Sequence, residues 1–131
     1  MSQSGGLTVT TPGVLTVGTP VSGDSGNVAN AAATATLPAA VGKTTYLDGL
    51  CIAALGATAG AIVLVTITGP ANTINYAFAV PTGATVAQAP FEVELLAPIP
   101  AAAPNTAIVA TLPALGAGNT AARITTHGRQ L

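Results

Sequence analysis

The sequence predicts an all-β chain, and three observations carry that expectation: regular punctuation by turn residues, short intervals rich in Val, Ile, Thr and Leu, and no amphipathic helical pattern. From residue 28 onward the chain is broken at Leu37-Pro38, Gly42-Lys43, Ala54–Gly60, Gly69–Asn72, Pro81–Gly83, Pro98–Pro104, Pro113–Gly118 and Gly128. Breaks about 8–14 residues apart belong to a two-layered sandwich or a barrel. No window places apolar residues at i, i+3 and i+4 between caps, so helices should be few.

Residues 1–27 stand apart in composition. Gly, Ser, Thr, Pro and Val dominate, and Leu7-Thr8-Val9 is echoed by Leu15-Thr16-Val17 across Pro12-Gly13. Runs of about four residues have no independent stability as a hairpin. The segment is therefore expected to be an extended N-terminal arm that orders by pairing with something else. Leu7, Val9, Val14, Leu15 and Val17 would be its docking side chains. Val21–Asn27 reads as the linker, and residues 28–131 as one sandwich domain.

Within the domain, strands show a period of two. Tyr46, Asp48, Leu50 and Ile52 alternate with Leu47, Gly49, Cys51 and Ala53. Ile62–Thr68 is apolar on both faces, as a central strand covered on both sides would be. Tyr76, Phe78 and Val80 form one face of a further strand, with Ala77 and Ala79 opposite. In Phe91-Glu92-Val93-Glu94-Leu95 the apolar side chains share one face and the glutamates the other. Ile108, Ala110 and Leu112 make an inward set, and Arg123, Thr125 and His127 project away from Ala122, Ile124 and Thr126. Asn-Thr recurs at 72–73, 105–106 and 119–120 after Pro, Ala or Gly, which reads as repeated turn chemistry.

Composition narrows the function. Charged residues are 5% of the 131, against about 25% in an average soluble domain. Lys43, Arg123 and Arg129 are the only side-chain cations besides His127, too few to neutralise a phosphate backbone, so no nucleic-acid partner is expected. Four aromatics and no Trp imply a thin core of small side chains. The exterior must then be built from Ala, Thr, Val and Gly, a sticky surface for an isolated subunit. Much of it is expected to be covered in the working state.

Candidate chemistry is sparse. His127 is the only histidine and lies near the C-terminus, where a surface or interface role is the plain expectation. Glu92 and Glu94 are two carboxylates on one strand face, too few for a cation site, and a solvated face, or salt bridges to Arg123, Arg129 or Lys43, is expected instead. Cys51, in Leu50-Cys51-Ile52, reads as a small buried hydrophobe and allows no internal disulfide. Gly42-Lys43-Thr44 and Gly116–Thr120 lack the spacing and following helix of a phosphate loop. No enzyme activity, small-molecule substrate, metal or cofactor is expected. Gly49–Gly69 is uncharged and holds a GxxxG match at Gly56–Gly60, which raises a small membrane protein as an alternative. Its Gly, Ala and Thr content and the Thr68-Gly69-Pro70 ending favour a strand and turn. The N-terminus lacks the basic start and apolar run of a signal peptide.

Val41–Gly49, Val80–Ala84, Pro98–Ala101 and the ending from Gly116–Thr120 to His127-Gly128 resemble small structural proteins of tailed bacteriophages. The likeness spans residues 41–131 and is most similar to capsid cement or decoration proteins. That resemblance implies a β-sandwich of jelly-roll type, commonly trimeric, fastened to the major capsid protein on the outer surface of a virion and made in the host bacterial cytoplasm. Lys43, Asp48, Glu92, Glu94, Arg123, His127 and Arg129 would then supply polar contacts between subunits. A tail, baseplate or receptor-binding subunit is the alternative within the structural class. A receptor binder should present hot spots on loops, and Tyr46, Tyr76, Phe78 and Phe91 fall mostly on expected strands.

Overall fold

The computed structural model describes residues 18–131, which form eight strands and no helix. They are β1 (Thr19–Asp24), β2 (Ala33–Leu37), β3 (Thr45–Ala54), β4 (Ala61–Thr68), β5 (Ile74–Val80), β6 (Phe91–Pro100), β7 (Ile108–Leu112) and β8 (Ala122–Gln130). Two four-stranded antiparallel sheets result, one ordered β1-β8-β3-β6 and the other β2-β7-β4-β5. Only β4 and β5 are joined as a hairpin within one sheet; every other connection crosses between sheets.

The core lies between the sheets, because alternate side chains of each face the other. Leu47, Leu50, Ile52, Ala122 and Ile124 enter from the first sheet; Ala35, Leu37, Val65, Ile67, Phe78, Ile108, Ala110 and Leu112 enter from the second. Alanines at 33, 35, 110 and 122 keep it thin, as the composition implied. Phe91 closes the β5–β6 side, packing edge-on against Phe78 at 5.8 Å and Tyr76 at 6.5 Å between ring centroids.

The inward and outward sets expected for β5, β7, β8 and the start of β6 match the burial pattern. Three local expectations do not hold. Val21–Asp24 is not linker: it belongs to β1, paired with β8 from Thr19↔Gln130 to Asp24↔Thr125. Ser25 and Val28 extend this pairing through backbone bonds to Ile124 and Ala122, so the sheet begins before residue 28. Composition suggested a linker because Ser and Gly were read as flexible, whereas an edge strand tolerates them.

In β3 the alternation changes phase. Asp48 is an extra residue between Leu47↔Gly128 and Gly49↔His127, a β-bulge. Leu47 and Leu50 therefore both point inward, and Cys51 turns outward and is half-buried instead of a core residue. In β4 only Val65 and Ile67 are buried; Ile62 is 74% and Leu64 54% exposed, so nothing described covers the outer side of that strand. Residues 49–69 run through β3, a loop and β4, and no described helix is long and apolar enough to cross a membrane. The arm residues Leu7, Val9, Val14, Leu15 and Val17 lie outside the described residues.

Candidate interaction faces

The sandwich has two outer faces of opposite character. On the β1-β8-β3-β6 face, the inward pull on Ala122, Ile124 and Thr126 leaves Arg123, His127 and Arg129 outside. The same alternation exposes Asp24 on β1 and Glu92 and Glu94 on β6, while the bulge presents Asp48. Every charged side chain of the chain except Lys43 is on this face.

These groups pair with one another. Arg123 donates from Nε to Asp24 Oδ1 at 2.8 Å, and a second bond joins its guanidinium to Asp24 Oδ2. That guanidinium, followed by the Gly26 N–H, holds the Asp24 carboxyl down at about 2. Arg129 Nε donates to Asp48 Oδ2 at 3.1 Å. His127 Nε2 and Glu94 Oε1 lie 3.0 Å apart. The last pair reaches across β3 because His127 and Glu94 both stand opposite Gly49. A Cβ there would sit 2.5 Å from the Val93 carbonyl oxygen and 2.8 Å from His127 Nε2. Gly49 is the opening through which the pair meets.

Both glutamates lie on an exposed face, one of the two alternatives expected, and neither meets Arg123, Arg129 or Lys43. Arg123 is level with Ala53, beyond the last β3–β6 pair at Ile52↔Phe91, and finds Asp24 instead. Glu92 has no ion pair among the described residues; its charge and that of Glu94 add to burial in pushing the Cys51 thiol up. Lys43 is exposed in the β2–β3 turn, also without an ion pair among the described residues, where its N–H bonds the Ala40 carbonyl at 3.1 Å. Of the seven polar residues expected at subunit contacts, five are therefore joined within the chain, and Lys43 and Glu92 are not.

The β2-β7-β4-β5 face carries no charge. Thr34, Thr111, Thr66 and Asn75 form one row across it, and Thr36, Val109 and Thr68 a second. Beside them Leu64 stands opposite Ala77 and Ile62 opposite Ala79. β7 ends at Leu112, before Pro113, and pairs with β4 only at Thr66–Thr68. Ala61–Val65 therefore has β5 on one side and no described strand on the other.

Two buried polar knots hold the ends of the sandwich, and the sequence pattern missed both. At one end the Pro38 carbonyl accepts from Thr45 Oγ1 and from Gln130 Nε2, each at 2.8 Å. At the other, Asn119 Nδ2 donates to the carbonyls of Leu55, Gly56 and Ala121, and its Oδ1 accepts from the Asn30 N–H. A depression of about 320 Å³ near this end is lined by three alanines with Asn27, Leu55 and Gln88, and its one charged group, Arg123, is already paired. No protein-family model, curated protein or solved structure matches the chain.

Proposed function

We propose that this chain is a non-enzymatic virion structural protein, a cement or decoration subunit that lies over coat-protein junctions and reinforces a tailed-bacteriophage capsid. The observation that carries this is the division between the two outer faces. One face carries every charged side chain but Lys43, most of them paired with one another, as a surface held in water should be. The other exposes Ile62 and Leu64 among Thr and Ala, and desolvates at little electrostatic cost. A subunit that adheres by one flank and shows the other to solvent needs this asymmetry.

The jelly-roll assignment is part of the same proposal. The pairs β1·β8, β2·β7, β3·β6 and β4·β5 are the rungs of one antiparallel ribbon, and folding that ribbon over yields two sheets in the order seen. Capsid proteins commonly use that architecture. The working form is a homotrimer bound to the major capsid protein on the outer shell, with Lys43 and Glu92 free to pair with neighbours. A mass-spectrometric inventory of particles purified from a lysate that makes this chain tests the proposal. Copy number in a fixed ratio to coat protein is expected. Absence from the particles, or enrichment in isolated tails, would overturn it.

A further inference from the structure

We infer that β5 is a contact between two copies of this chain: Ile74–Val80 of each pair antiparallel about a twofold axis through Ala77, joining two β2-β7-β4-β5 sheets edge to edge. The inference goes beyond the proposed function and does not rest on it. β5 ends its sheet, in unbroken register with β4 from Ala61↔Val80 to Ile67↔Ile74. Among the described residues, no backbone group outside β4 bonds it. Alternate N–H and C=O groups of such a strand point away from its sheet, a template for β-addition.

End strands are ordinarily guarded by proline, charge or a bulge, and Ile74–Val80 has none of these. Every other edge is guarded or closed. β6 carries two glutamates, Pro98 and Pro100. β1 and β2 lie against each other, with the Thr36 carbonyl so near Gly23 that no Cβ fits there. The Ala61–Leu64 side of β4 is flanked by the β7–β8 connection, where the Thr58 N–H bonds the Ala117 carbonyl at 2.9 Å. β5 is left as the one bare edge among the described strands.

A second copy is the occupant because β5 complements itself. A strand paired antiparallel with its own copy brings like charges together, and this one has no charge. It is a strand already, so pairing orders no new segment. The register follows from the faces: inward side chains must oppose inward ones, so the axis passes through a residue and not between two. Centring on Ala77 pairs all seven residues, with Asn75 opposite the partner's Ala79 and Tyr76 opposite the partner's Phe78. The inner side gains as well. Tyr76, Phe78 and Phe91 are three of the four aromatics, and Tyr76 and Phe91 stay half-buried in the single chain. Contacts between proteins are enriched in such rings.

Full-length chains in a Cys51→Ala background, each with one cysteine at an exposed β5 position, test the register under mild oxidation. Ala77→Cys alone should give a covalent pair, because directly opposed Cβ atoms lie about 5 Å apart, close to disulfide range. Asn75→Cys or Ala79→Cys alone should give about tenfold less, each being about 14 Å from its own copy. Mixed together, those two should approach the Ala77→Cys yield. The parent should sediment as an even number of chains, also where the threefold of the proposed function forms, because a twofold joins chains in pairs. Ala77→Lys and Ala77→Glu should each halve that mass, and their equimolar mixture should restore it. An odd number of chains, equal yields at the three positions, or Ala77→Cys product found only on shells would overturn the inference. The second outcome would indicate packing of faces, and the third a strand of the shell. Particle inventory reads none of these, so this inference and the proposed function fail separately.

Discussion

Asn119 shows how much a single side chain can contribute to joining the sheets. It is 4% exposed, and its amide ties the β3–β4 loop to the residues before β8 while its carbonyl accepts from Asn30. Asn119→Ala leaves buried carbonyls without donors and should cost about 1–3 kcal/mol in urea unfolding. The turn-like Asn-Thr at 72, 105 and 119 concealed this, because the partners of Asn119 are distant in sequence. Asp24 makes a pH prediction of the same scale. Its carboxyl titrates near 2 in the folded chain against 3.8 ordinarily, so its contribution is complete above that ordinary value and is lost as pH falls through about 2. Asp24→Asn should therefore be less stable than the parent at neutral pH, and the difference should shrink as the pH falls from about 4 to about 2. A gap that widens over that window would show that Asp24 acts otherwise.

At the level of the strand, periodicity identified elements better than surroundings. Phe91–Leu95, Tyr76–Val80 and Ile108–Leu112 were legible because one face is apolar and the other is not. β4 was misread because an apolar residue marks what could be buried, not what is. Its two faces are now separable by experiment. Ile67→Ala, fully buried, should cost about 2–5 kcal/mol, whereas Leu64→Thr should change the stability of the isolated chain by no more than about 0.5 kcal/mol. Equal costs in chemical denaturation would mean that Leu64 is covered within a single chain. The bulge at Asp48 had no signature of its own: an extra residue is visible only against its partner strand, β8.

For the whole molecule, composition implied a covered surface without saying which. The register decides it, by gathering the charges onto one sheet and leaving Ile62, Leu64, Ala77 and Ala79 together on the other. A comparison at fixed net charge isolates that placement. Ala77→Lys with Ala79→Lys adds two cations to the uncharged face; Ser22→Lys with Ala53→Lys adds two to the charged face, and all four positions are exposed. Either pair takes the formal charge from −1 by two units to +1, so general repulsion between molecules changes equally. If the uncharged face is the adhesive one, the parent should sediment with a mass that rises with concentration. The Ala77/Ala79 pair should abolish that rise, and the Ser22/Ala53 pair should preserve it, because only the first forces ammonium groups into a contact that would have to desolvate them. Matched urea midpoints would establish that neither pair disturbs the fold. The reverse ranking in sedimentation would assign adhesion to the charged face, and with it the opposite orientation on any partner.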